Sequence, residues 1–258
     1  MEPLPTPDEI HLWLAWPDRI TDSGLLARYR ALLSAEEMER HDRYRFDRHR
    51  HTFLVTRALV RTVLARYADR PAESLSFTKN RYGRPGIPAG ENPAALNFNI
   101  SHTDGLVALA VTRNATVGVD VESTGRTVMD RDLARRFFAP PEADRLAALP
   151  PAQQAPRFIA YWTLKEAFIK ACGRGLSIPL SDFSFHLEEG HPITVSFAPS
   201  LAEDPPLWHF SLLDPGEGFR IAIARKTDRP APPPRLLTRA LVPLAQEIPH
   251  TAQTLFSS

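Results

Sequence analysis

Along residues 34–67 the apolar positions follow a helical period. Leu54, Ala58, Arg61 and Ala65 share one spacing, beside Leu59, Val63 and Leu64. Ser34 precedes Glu36 and Glu37 as an N-cap precedes the acids of a first turn. From 96 to 122 the period shortens to two. Leu96, Phe98 and Ile100 alternate with Asn97, Asn99 and Ser101, and an apolar run covers 105–112. Arg113-Asn114-Ala115 reads as a turn, after which Val117, Val119 and Val121 alternate again. This stretch predicts neighbouring antiparallel strands. Residues 157–172 predict a second helix, closed by Gly173 and Gly175. Short strands are predicted at 183–187, 193–197, 208–212 and 219–224.

The order of these elements repeats. Residues 57–86 run helix, then Leu75-Ser76-Phe77, a polar turn and Arg84-Pro85. Residues 165–192 run helix, then Phe183-Ser184-Phe185, a polar turn and His191-Pro192. Strand pairs follow each, at 96–112 and 207–224, which predicts two related α+β halves meeting near Thr116. Prolines cluster at 3–7, 140–141, 150–151, 205–206 and 230–234, where helix interiors and central strands cannot continue. The chain is therefore divided into an N-terminal half at 1–115, a C-terminal half at 116–227 and a Pro-rich tail at 228–258. The apolar stretch 236–245 of that tail can pack back as an arm.

Composition narrows the class. Of 258 residues, 43% are hydrophobic and 24% charged, enough for one large core or two small ones. A formal net charge of +1 argues for neither a nucleic-acid binder nor an acidic tail. The lone Cys172 excludes an internal disulfide and a thiolate metal cage. No basic segment leads into an apolar run at the N-terminus, and no apolar stretch reaches bilayer length. A soluble, cytoplasmic protein is expected.

Several motifs carry candidate chemistry. In Gly118-Val119-Asp120-Val121-Glu122 a strand would aim both carboxylates to one side, a hard-oxygen set suited to magnesium or manganese. Taken alone, such a triplet is more often a solvated strand face with two ordinary acids. On a helix Trp162, Glu166 and Lys170 fall on one stripe, either a surface ion pair or a third carboxylate and an ammonium for a metal-bound pyrophosphate. Ser101, His102 and Thr103 end a strand with hydroxyls and an imidazole, without the G-x-S-x-G elbow of a hydrolase. Arg84 is presented by the turn Tyr82-Gly83-Arg84-Pro85-Gly86, suited to a phosphate or simply solvated. Arginines are dense over 40–61 but diluted by acids, which fits a solvated face, an acidic protein partner or a ligand phosphate.

In order and spacing these pieces resemble the surfactin-synthetase type of 4'-phosphopantetheinyl transferase. The matching elements are Gly83-Arg84-Pro85, Asn97-Phe98-Asn99-Ile100-Ser101-His102, Gly118-Val119-Asp120-Val121-Glu122, Trp162-x-x-Lys165-Glu166-Ala167-x-x-Lys170 and Gly173-Arg174-Gly175-Leu176. The resemblance implies an α+β pseudo-dimer of two similar halves with the active site between them. It implies Asp120, Glu122 and Glu166 as magnesium ligands (manganese as an alternative), with Lys170, Ser101 and His102 on the phosphates of coenzyme A. Arg84 stands where the family often has lysine, and Arg50 and Arg57 are implied contacts to the nucleotide end. The implied reaction moves the phosphopantetheine arm of coenzyme A onto a serine of an apo acyl or peptidyl carrier protein, releasing 3',5'-ADP. Glu166 would be the general base, directly or through metal-bound water, and Lys170 would lower the barrier electrostatically. A monomer is implied, with no nucleic acid or membrane as partner. The alternatives are a non-catalytic relative that binds carrier protein or coenzyme A, and a metal-dependent phosphatase or nuclease.

Overall fold

The structure is a computed structural model that describes residues 2–125 and 131–258. The first half lays down β1 (Glu9–Ala15), α1 (Ser23–Ala31), α2 (Ala35–Arg43) and α3 (Asp47–Ala68). The short strands β2 (Thr78–Lys79) and β3 (Pro85–Gly86) follow, then β4 (Leu96–Thr103) and β5 (Leu106–Arg113). The second half runs β6 (Thr116–Ser123), α4 (Arg131–Phe137), α5 (Pro140–Ala148), α6 (Pro151–Cys172), β7 (Phe183–His186), β8 (Thr194–Phe197), β9 (Trp208–Asp214) and β10 (Phe219–Lys226). The tail adds β11 (Arg235–Val242), β12 (Gln246–Ile248) and β13 (Gln253–Ser257).

Side-chain alternation assembles these into four layers. A five-stranded sheet has the order β12-β11-β1-β5-β4 and a four-stranded sheet the order β13-β9-β10-β6. Ile10, Leu12 and Leu14 of β1 and Leu106, Ala108 and Ala110 of β5 face Val117, Val119 and Val121 of β6 in a central core between the sheets. The alternate residues Trp13, Val107, Leu109 and Val111 turn outward onto α3. On the second sheet Ala222 and Ala224 turn onto α6. Each half thus sets a 22-residue helix on the outside of its own sheet, and the halves stack sheet to sheet as an α+β pseudo-dimer. Among the described residues, no helix is long and apolar enough to cross a membrane.

The structure corrects several expected boundaries. The helix expected over 34–67 is two helices. Ser34 caps α2 with a full capping box to Glu37, but Tyr44 leaves the helical region at ψ 125°. The bend folds α2 over α3, where Glu37 pairs with both Arg57 and Arg61. The second helix starts at Pro151, earlier than expected, because proline is accepted in a first turn where the missing N–H is not needed. β5 and β6 are not paired as neighbours. The chain turns at Asn114 (φ 56°) and changes sheets, so β6 pairs with β10. The tail's β11 runs parallel to β1, and β13 pairs with β9, so the arm expected at 236–245 enters the first sheet as a strand.

Candidate active site

The site lies on the outer face of β6, beneath α6. Val117, Val119 and Val121 are taken by the central core, so Gly118, Asp120 and Glu122 face the helix. Gly118 permits the close approach. A Cβ there would fall on the carbonyl oxygen of Ala167 and the amide nitrogen of Ala171. The stripe read from sequence then meets the strand residue by residue. The Trp162 indole donates to Glu122 Oε1 at 3.1 Å, and Lys170 Nζ donates to Asp120 Oδ1 at 2.6 Å.

The first half contributes through its edge strand β4. Asn99 Oδ1 accepts from the Val119 N–H at 2.9 Å, and Ser101 Oγ accepts from the Val121 N–H at 3.3 Å. Two polar side chains of β4 thereby satisfy the exposed edge of β6 and stitch the halves together. Ser101 also donates to Asp120 Oδ1 at 2.9 Å and accepts from Lys170 Nζ at 2.7 Å. Ser101, Asp120 and Lys170 form a closed triangle across both halves.

Three carboxylates in this space repel one another. Burial and then the charge of Asp120 push Glu122 up to about 7, and the same two causes raise Glu166. Asp120 is 4% exposed, and its Oδ2 is buried without a hydrogen-bond partner among the described residues. An orphaned carboxylate oxygen beside two carboxyls strained toward protonation suits a hard divalent cation. No three His, Cys, Asp or Glu side chains among the described residues form a ready ligand cluster, and Lys170 and Ser101 engage Asp120. His102, at the end of β4, is exposed. Desolvation and then the charges of Lys170 and Arg40 hold its imidazole below the usual range.

The arginines are engaged elsewhere. Arg57 is paired with Glu37 and lies over the Phe77 ring, with its side chain 13% exposed. Arg50 pairs with Asp47 at 2.7 Å and donates to the Tyr44 carbonyl at 2.8 Å, bracing the bend between α2 and α3. Arg84 donates to the carbonyls of Ala171 and Val117. Sequence reasoning missed Asn99 as the partner of β6, and Lys165, which lies fully buried against Glu142. For Lys165 a signal existed. It shares a helix face with Tyr161 and Phe168, where a lysine needs a buried partner.

Comparison with known proteins gives the family. The sequence profile described as the 4'-phosphopantetheinyl transferase superfamily matches residues 116–224, and one described as 4'-phosphopantetheinyl transferase, N-terminal, matches residues 21–114. The 4'-phosphopantetheinyl transferase HetI of Nostoc sp. is 31% identical over 217 residues, covering 84% of this chain and 87% of the relative. A 4'-phosphopantetheinyl transferase of Bacillus subtilis is 37% identical over 175 residues, covering 67% and 75%. The 4'-phosphopantetheinyl transferase Sfp of Bacillus subtilis strain 168 is 32% identical over 173 residues, with the same two coverages. The two profiles divide at the sheet change between β5 and β6, and the chain belongs to the 4'-phosphopantetheinyl transferase superfamily.

Proposed function

We propose that the chain transfers the phosphopantetheine arm of coenzyme A to a serine hydroxyl of an apo acyl or peptidyl carrier protein. The observation that carries this reading is the Ser101–Asp120–Lys170 triangle at the seam of the two halves, with Glu122 on the same face of β6 and Glu166 one turn before Lys170 on α6. Asp120, Glu122 and Glu166 would hold magnesium, or manganese in its place. When bound, that ion would neutralise pyrophosphate charge and polarise the phosphorus–oxygen bonds.

The chain's own residues then supply the rest. Lys170, held by Ser101, offers a fixed positive charge to the phosphate oxygens, and Ser101 and His102 offer further contacts to them. The carrier serine oxygen forms a bond to the phosphorus bearing pantetheine, the bond to 3',5'-ADP breaks, and the serine proton passes to Glu166. Glu166 lies one turn before Lys170 on α6, which puts a carboxylate on the same helix as the ammonium that would face the phosphates. Arg50 and Arg57, paired here with Asp47 and Glu37, are the proposed contacts to the nucleotide end of coenzyme A, while Arg84 already holds main-chain carbonyls. Both halves of the site lie on one chain, which supports action as a monomer. We place that action in the cytoplasm.

The test is intact-mass analysis of an apo carrier protein incubated with the enzyme, coenzyme A and magnesium. A gain of one phosphopantetheine arm is expected, lost with EDTA and lost in Glu166→Gln with the fold intact. Full transfer by Glu166→Gln would remove that residue from the mechanism. A folded protein that modifies no carrier would favour the non-catalytic binder.

A further inference from the structure

Helix geometry leaves the last carbonyls of α6 without intrahelical donors. Gly173, at φ 64°, turns its own N–H back to the carbonyls of Ile169 and Lys170. The carbonyls beyond are reached from the other half. Arg84 donates from Nη1 to the Ala171 carbonyl and from Nη2 to the Val117 carbonyl at 2.8 Å. Asn80 donates from Nδ2 to the Gly173 carbonyl at 2.8 Å. Its Oδ1 accepts from the N–H groups of Tyr82 and Arg84 at 2.9 and 3.0 Å, so one side chain closes the turn and reaches across. The Arg84 cation also stands at the negative end of the α6 dipole.

These bonds join two elements of the site. Ala171 follows Lys170 on the helix that also carries Glu166, and Val117 lies on the strand that carries Asp120 and Glu122. A single guanidinium spans both. A lysine in its place would keep the charge without the planar fork that spans two carbonyls.

We propose that the turn bearing Asn80 and Arg84 is a clasp that sets the register of α6 against β6. Asn80 and Arg84 are then positioning residues for phosphopantetheinyl transfer, and Arg84 serves main-chain carbonyls, not a coenzyme A phosphate. The inference rests on the transferase reading of the site.

The test compares Arg84→Met, Asn80→Ala and the double variant in two measurements. The first is steady-state formation of holo carrier protein. The second is hydrogen exchange at the amides of residues 170–173 without substrate. A clasp lowers kcat by about ten- to a hundredfold, the loss expected when reacting groups are misplaced. It leaves KM for coenzyme A within about twofold. It also speeds exchange in the last turn of α6, and the double variant is no worse than Arg84→Met. A raised KM with kcat retained would assign Arg84 to the phosphates and overturn the clasp, as would unchanged exchange. Asn80 is exposed, so Asn80→Ala removes its bond to the Gly173 carbonyl without opening a core and decides the matter alone should Arg84→Met not fold. A wild-type protein inert toward every carrier would sink the transferase reading, while the exchange measurement would still decide whether the clasp exists.

Discussion

At the residue scale, Ser101 is the most economical part of the site. One hydroxyl accepts from Val121 and Lys170 and donates to Asp120. Ser101→Ala would leave the buried Val121 N–H without its partner and release Lys170 from one of its two anchors. The expected cost is about 1–3 kcal/mol of stability, the range for an orphaned buried donor. Transfer activity should fall as well. Urea denaturation and the intact-mass assay measure the two effects, and unchanged stability would mean that water replaces the hydroxyl. The sequence made part of this legible. A period of two places Asp120 and Glu122 on one face whatever lies opposite, and a period near four places Trp162, Glu166 and Lys170 together. It gave no sign that the face is buried. Asn99 alternates like a solvent-facing residue, and its actual partner belongs to a strand of the other sheet.

At the element scale, α6 is fixed on its far side by a buried ion pair. Lys165 and Glu142 lie 2.7 Å apart, both 0% exposed. Lys165 also donates to the carbonyls of Leu180 and Phe183, and Glu142 accepts from the N–H groups of Ala139 and Phe185. Burial pushes the Glu142 carboxyl up and the Lys165 ammonium down, while each partner opposes that shift in the other. Removing one partner leaves a buried charge, so Glu142→Ala should lose about 3–5 kcal/mol. Lys165→Met combined with Glu142→Leu should recover much of that loss. A double variant as unstable as Glu142→Ala would show that the main-chain bonds, not the charges, hold α5 to α6. The need of Lys165 for a buried partner was legible, but that Glu142 supplies it was not. α5 opens with Pro140-Pro141, which reads as a loop, although proline is well accepted at the start of a helix. The strands of the central core were only partly legible for a related reason. β1 is buried on both faces, so its residues show no contrast of polar and apolar sides.

At the scale of the whole molecule, the tail ties the two sheets together. β11 inserts between β12 and β1 of the first sheet, while β13 covers β9 of the second. The parallel pairing of β1 with β11 begins where Glu9 stands opposite Arg235, and the two side chains form an ion pair. The main-chain N–H of Thr6 and then Arg235 hold the Glu9 carboxyl down at about 2, against 4.5 for a free glutamate. A depressed carboxyl contributes stability above its unfolded value and loses it as pH falls through its folded value. The contribution is therefore complete above pH 4.5 and disappears toward pH 2. Glu9→Gln should lower the thermal midpoint near neutral pH and flatten its decline across that acid window. Circular dichroism melts of both proteins at stepped pH measure this, and limited proteolysis after Arg235, at the start of β11, reports whether the tail has left the sheet. Parallel melting curves for the two proteins would mean that the tail is held by its strand pairing alone. Convergence of the curves at low pH, with cleavage rising in the wild type as it acidifies, would make the Glu9 carboxylate, held by Thr6 and Arg235, the latch between β1 and β11.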